Sequence, residues 1–294
     1  MNITDDLVKS LISKQFPQFA HLNIESVDIQ GHDNRTYRLG DTMCIRLPTA
    51  ECYALKIPIE QEFLPLLAKH LTIAIPKPLH IGLPSNIFPY AFSIYEWLNG
   101  VSLNYIDLQK IDLNILAYDL AKFLKELHMI NTNNGLKPGL HNWYRGDHVS
   151  IYDEGARKQI TALKDIINSE KALYTWQEAC ATKWNKKPVW IHGDFAIGNI
   201  LMNEYKLSAV IDFGGCAIGD PACDLVIAWT LFTGQSREIF IQEMNLDADT
   251  WLRAKAWALW KSTFELCNTE NKYSEKSEFQ KKIIHEIIIS SLHL

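Results

Sequence analysis

The chain has 294 residues, 47% of them hydrophobic and 21% charged, with only 14 Gly and 11 Pro, enough to bury one large core or two medium ones and too apolar for a disordered chain. A formal net charge of -5 excludes a dedicated nucleic-acid binder, which needs clustered Lys and Arg. Six scattered cysteines without a Cys-x-x-Cys pair, an acidic start at Asp5 and Asp6, and no apolar run near the roughly 18 residues that span a bilayer lead to the expectation of a cytoplasmic protein with no membrane and no nucleic-acid partner.

Apolar spacing over residues 3–17 (Ile3, Leu7, Leu11, Ile12, Phe16) predicts an amphipathic helix, with Asp5 and Asp6 in its first turn, where negative charge suits the dipole. Ile24–Ile29, Thr36–Leu39 and Thr42–Leu47 alternate and are punctuated by Gly31 and Gly40-Asp41, which predicts a three-strand antiparallel meander. Helical spacing returns over 50–70. Pro76, Pro78, Pro84 and Pro89 then break the chain before a strand over Tyr90–Trp97, which ends at the turn signal Asn99-Gly100. Further helices are predicted over 112–128, 152–168, from about Ala172, over 222–233, over 248–266 and over 272–294. Short strands are predicted at Val189–Ile191 and Leu207–Phe213, with Asn203–Lys206 as a tight turn. No internal repeat is present. This pattern predicts a strand-rich first lobe over 1–98 and a larger helical lobe over 99–294, with ligands bound in a cleft.

The residues able to do chemistry concentrate in His192-Gly-Asp194-Phe-Ala-Ile-Gly-Asn199, Ile211-Asp212-Phe-Gly214 and Gly219-Asp220-Pro-Ala-Cys-Asp224. An Asn and an Asp flanking a hairpin supply two hard oxygen ligands and leave positions for water and phosphate, which suits Mg²⁺. Asp194 is then free to accept a proton from a hydroxyl nucleophile, the layout of phosphoryl transfer. A single Asp at a strand end is more often a turn or helix cap; the order and spacing together carry the reading.

From about Ile24 to Leu266 the chain resembles the aminoglycoside phosphotransferase (phosphotransferase enzyme) family, on the strength of H-G-D-x-x-x-x-N, I-D-F-G and G-D-P-x-x-D-L. The resemblance implies an α+β, protein-kinase-like two-lobe fold with a small antiparallel-sheet N-lobe and a larger, mostly helical C-lobe. It implies Asp194 as catalytic base, Asn199 and Asp212 as magnesium ligands, Asp220 as support for the catalytic loop, and ATP or GTP with Mg²⁺ as cofactors. His192 stands where kinases carry the His of H-R-D, which gives it a structural role, with proton transfer as the alternative.

Within the first lobe, Gly31-His-Asp-Asn34-Arg-Thr-Tyr37 lies between two strands, as a phosphate loop should, with Gly31 and Asn34 as cofactor contacts, although a single Gly also reads as an ordinary turn. Arg46 falls where kinases place a strand lysine, and Glu60 where its helical partner should be; an Arg can clamp phosphate oxygens with its planar fork. A surface Arg on an edge strand is the alternative, and Lys56 competes for the same role. By the resemblance, the backbone at Glu96 and Leu98 forms the interlobe hinge that bonds the base. Only five residues separate Gly214 from Asp220, too few for a peptide-docking segment, so the expected acceptor is an aminoglycoside-like or other small hydroxylated molecule rather than a protein. Asp147 and Glu265, with Asp153 and Glu154, could hold a polycation or be plain solvated charges. The late tryptophans, among them Trp229, Trp251, Trp257 and Trp260, read as interhelix packing. The alternative function is a nucleotide-binding pseudokinase with a regulatory role. Oligomeric state is not encoded.

Overall fold

A computed structural model describes residues 2–289, which divide into two compact units: the chain up to Gly100 with Ser208–Gly214, and Val101–Leu207 with the chain from Gly215 onward. The last residues of the expected terminal helix, 290–294, lie outside the described residues.

The smaller unit opens with α1 (Asp5–Gln15), capped by the Thr4 side chain accepting from the Leu7 N–H and burying Val8, Leu11 and Ile12. The expected meander follows as β1 (Ile24–Ser26), β2 (Asn34–Leu39) and β3 (Met43–Pro48). Then come α2 (Glu51–Ala54), α3 (Ile57–Leu67), β4 (Pro78–Gly82) and β5 (Phe92–Glu96). The strands form one antiparallel sheet in the order β1-β2-β3-β5-β4. Sequence reading treated the proline-rich stretch as a break, yet β4 forms there because it is an edge strand, where a missing N–H is tolerated. The α1 residues pack with Tyr37, Leu39, Ile45, Leu47, Phe88, Phe92 and Ile94 in one core.

The larger unit contains β6 (Val101–Ser102), α4 (Leu113–Met129), α5 (Asp153–Ala162), α6 (Ser169–Cys180), β7 (Val189–Ile191), β8 (Ile200–Asn203) and the start of β9 (Lys206–Val210). It continues with β10 (Ala217–Gly219), α7 (Ile227–Thr230), α8 (Gly234–Met244), α9 (Ala248–Asn268) and α10 (Glu275–Ile289). β10 pairs antiparallel with β7, and β6 with β8. Asp112 caps α4 through two backbone N–H groups, and Leu116, Leu120, Phe123, Leu124 and Leu127 form its buried stripe. The chain over 222–233 is not one helix as its spacing predicts. Capped by Asp220 and starting at Pro221, a 3₁₀ run reaches Val226 before α7, and α8 restarts at Gly234 in a left-handed conformation. Helical spacing over 152–168 likewise overran α5, which stops at Ala162.

Candidate active site

The two units each carry a part of the expected chemistry. In the smaller unit, Arg46 stands on β3, opposite Thr36 of β2 and Ser93 of β5. It is on an interior strand, so the edge-strand alternative fails. Its guanidinium lies 3.7 Å from Glu60 and 3.4 Å from Asp212, with its fork over the Tyr95 ring. Glu60 is buried on α3 and also accepts from the Tyr95 hydroxyl. Burial pushes the Glu60 carboxyl above its ordinary value, Arg46 pulls it back, and Asp212 adds to the rise.

Asp212 reaches this place because the end of β9 docks beside Ala74: Ala209 bridges Ala74 in parallel, and the Val210 N–H donates to the Ala74 carbonyl at 3.0 Å. Its own backbone is left-handed (φ 69°), a conformation that Asp tolerates better than most side chains. Two residues on, Gly214 is packed against the Lys56 stem, where an added Cβ would stand 2.7 Å from Cδ. Lys56 donates to Asp33 at 2.8 Å in the loop before β2. Both candidate cations therefore border the Asp212–Gly214 segment, Arg46 through its charge and Lys56 through its stem.

The expected phosphate loop is built without help from its glycine. A Cβ at Gly31 would meet only the Asn34 carbonyl, at an ordinary 3.5 Å, and Asn34 opens β2 opposite Pro48. At the end of β5, the Glu96 N–H donates to the Lys77 carbonyl and the Trp97 N–H to the Thr42 carbonyl, while the Glu96 side chain pairs with Lys77 at 3.2 Å. Leu98 follows outside the strand.

In the larger unit, Gly193 turns the chain just past β7 at φ 81°, and a Cβ there would lie 2.1 Å from the Gly215 carbonyl oxygen. Only glycine fits this crossing. The turn is fixed by Asp224, fully buried, which accepts from the His192 N–H at 2.6 Å and the Gly193 N–H at 2.9 Å. Burial raises the Asp224 carboxyl, opposed by His192 and these two N–H groups. His192 Nδ1 takes the Asp194 N–H at 3.2 Å, and its ring is buried beside Phe195.

Asp220, expected to support this loop, is engaged elsewhere. Its carboxylate takes the buried Arg253 at 2.5 Å and caps Ala222; the N–H groups of His192 and Gly193 are held by Asp224, and the Gly193 carbonyl accepts from Arg145 at 3.3 Å. The motif contains both aspartates, and spacing alone did not separate a helix cap from a loop anchor.

Asp194 projects from this turn half-exposed, 3.3 Å from Lys261 of α9 and 4.0 Å from Arg145. Burial acts to raise its carboxyl, and Lys261, Arg145 and His192 outweigh burial to leave it below the ordinary carboxylate value. It is ionised at neutral pH, as a base must be. The Asn199 amide donates to the Asp194 carbonyl at 2.9 Å, which turns its own carbonyl oxygen into the available end. That oxygen in the larger unit and the Asp212 carboxylate in the smaller one are each, by donor type, of the kind that magnesium takes.

Of the acidic residues considered for the acceptor, Asp147 caps His148, Glu265 pairs with Lys276 of α10 at 2.7 Å, and Asp153 is held by Arg157 and the Trp176 N–H. None of them lines the cavity beside Asp194, which is bounded by Arg145, Phe195, Cys223, Val226, Trp257, Trp260 and Lys261. Sequence reading missed Arg145, Lys261 and Asp224, because each meets Asp194 or its turn only through tertiary packing.

Residues 26–257 match the phosphotransferase enzyme family. The chain belongs to that family. An aminoglycoside 3'-phosphotransferase of Escherichia coli is 24% identical over 161 residues, 51% of this chain and 58% of that protein's own length. Among solved structures, a variant of aminoglycoside 2'-phosphotransferase-IIIa with GDP superposes with a TM-score of 0.73 at 20% identity, covering 97% of each chain. The macrolide 2'-phosphotransferase of Brachybacterium faecium gives 0.63 at 17% identity, covering 98% of this chain and 99% of that one. This member of the family therefore has the α+β, kinase-like fold of these enzymes. Among its described residues no helix is long and apolar enough to cross a membrane.

Proposed function

We propose that this chain is a small-molecule O-phosphotransferase that moves the γ-phosphoryl group of ATP or GTP, with Mg²⁺, to a hydroxyl of a small acceptor. The observation that carries the reading is Asp194, kept ionised by Lys261 and Arg145 on a turn fixed by buried Asp224. An ionised, half-exposed carboxylate on a rigid turn can orient a hydroxyl and take its proton. Related enzymes with GDP or ADP bound support the nucleotide donor, and complexes of relatives with kanamycin and gentamicin support a hydroxylated small-molecule acceptor.

In this reading, residues 1–98 receive the nucleotide, with base contacts from the backbone at Glu96 and Leu98 and phosphate contacts from Arg46 and the loop at Gly31 and Asn34. Residues 99–294 supply the base and the acceptor site. Asn199 and Asp212 would hold magnesium, which would offset the negative charge of the phosphates. Arg46, already balanced between Glu60 and Asp212, steadies the phosphate tail. Asp194 positions the acceptor hydroxyl and accepts its proton as the new O–P bond forms and the bond from the γ-phosphorus to the β–γ bridging oxygen breaks, which releases the nucleoside diphosphate.

Transfer from radiolabelled ATP and GTP across acceptor panels tests this, with Asp194→Asn as control. The substitution removes the base and keeps its shape, so turnover falls by roughly 10²–10⁴-fold while nucleotide affinity is kept. Equal turnover by both proteins would remove Asp194 from the chemistry, and failure of Mg-nucleotide to bind the native chain would end the kinase reading.

A further inference from the structure

The groups surrounding Asp194 carry the opposite charge from a site built for a polycation. Two cations, Arg145 and Lys261, flank the single carboxylate, and the rest of the cavity wall is Phe195, Cys223, Val226, Trp257 and Trp260. Neither Asp147, which accepts the His148 N–H, nor Glu265, which pairs with Lys276, lines this cavity. The aromatic face that could attract an ammonium group is also covered, since the Arg145 guanidinium lies 5.1 Å from the Trp260 ring centre.

An oxygen-rich, negatively charged ligand complements the cationic pair Arg145 and Lys261. The cavity has about 10 Å³ of free volume, about the room one water needs. It takes an oxygen of the acceptor, with the body of the molecule outside.

We propose that the acceptor of this phosphotransferase is a small hydroxylated anion, a carboxylate or phosphate ester, whose negative end is read by Arg145 and Lys261 beside Asp194. The assignment rests on the kinase reading for the word acceptor; the anion site itself does not. Complementary charge at the mouth of a site sets which ligand is accepted and repels the wrong sign.

Calorimetric titration of the full chain at low salt tests it with four probes: gluconate, glycerol phosphate, neutral myo-inositol and kanamycin. The expected result is that at least one anion binds about tenfold or more tighter than both myo-inositol and kanamycin, and that Lys261→Glu reverses the order of anion and kanamycin. Circular dichroism of the variant establishes that it is folded, and Arg145→Met supplies a second loss of anion binding should Lys261→Glu fail to fold. Kanamycin binding as tightly as the anions, or no anion binding at about 10 mM, overturns the proposal. A difference between gluconate and glycerol phosphate identifies which anion source the site prefers. Nucleotide binding and Asp194→Asn turnover, measured separately, report on the kinase reading, so anion binding without phosphate transfer would fault that reading alone.

Discussion

The two units solve opposite electrostatic problems. In the smaller one a single cation, Arg46, is shared by two carboxylates, Glu60 and Asp212. In the larger one a single carboxylate, Asp194, is shared by two cations, Lys261 and Arg145. The consequences have opposite signs: the Glu60 carboxyl is pushed up, mainly by burial, and Asp194 is held down against burial. The first cluster has one negative charge in excess, which a divalent cation on Asp212 would complement. The second has one positive charge in excess, which suits an anionic ligand and keeps Asp194 ionised. What differs between them is burial, since Glu60 is closed off from solvent and Asp194 is half-exposed.

The contrast breaks most visibly at the anchor of the Asp194 turn. Asp224→Ala removes the acceptor of two backbone N–H groups in a buried place and is expected to cost about 3–5 kcal/mol of stability in urea unfolding, since each charge-assisted bond contributes about 1.5–3 kcal/mol. Asp224→Asn keeps one acceptor and is expected to lose less. An unchanged urea midpoint for the Ala variant would mean that the turn holds itself, and that Asp220, already engaged by Arg253, is no worse a candidate for its support.

Next in size is the shared cation. Arg46→Met leaves Glu60 buried with the Tyr95 hydroxyl as partner and is expected to destabilise the chain by about 3 kcal/mol, as breaking a buried pair does. Adding Glu60→Gln removes the stranded charge and should restore most of that loss, a coupling that a double-mutant cycle reads directly. Additive effects would show that Arg46 and Glu60 do not depend on each other, and the smaller unit would lose its half of the comparison.

The pH dependence sharpens the contrast without unfolding anything. Asp194 has a depressed carboxyl, so the activity that needs its ionised form is present above that lowered value and is lost only as pH falls through it. Lys261→Met removes the first of the opposing charges, and the acid limb of the kcat profile should move to higher pH. Glu60 runs the other way. Its raised value means that the stability it contributes is complete below its unfolded value and declines as pH rises through the folded one, a decline that Glu60→Gln abolishes. An acid limb that stays in place in Lys261→Met would show that a group other than Asp194 governs it.

Legibility in the sequence followed the range of the interactions. Strands β2, β3 and β5 and helices α1, α4 and α9 were readable because period and caps are local, as with Thr4 and Asp112. β4 was not, because its proline is acceptable only through its place as the first residue of an edge strand, beside a register shift. The His192–Asn199 and Asp212–Gly214 segments stood out because their polar residues are close in sequence. Arg145 and Lys261 did not, being 49 and 67 residues from Asp194 and brought to it by packing in the larger unit. Asp220 and Asp224 were both visible, yet which one anchors the turn depends on Arg253 arriving from α9. Least legible was the charge around Asp194, since Arg145 and Lys261 reach it only through tertiary packing.

The smallest expected effect lies at the hinge. If the base is bonded by main chain there, the Glu96 side chain is dispensable: it pairs with Lys77 at the surface, where both partners are largely exposed, and such pairs contribute about 0–1 kcal/mol. The strand bond from the Glu96 N–H to the Lys77 carbonyl survives any side chain that is not proline. Glu96→Ala should therefore change stability by less than about 0.5 kcal/mol and nucleotide affinity by no more than about twofold, measured by titration with Mg-ATP and Mg-GTP. A tenfold loss for one nucleotide only would instead assign the side chain a part in choosing the base, and would place a donor-selecting charge in the smaller unit, a counterpart to the acceptor-selecting role proposed for Arg145 and Lys261 in the larger one.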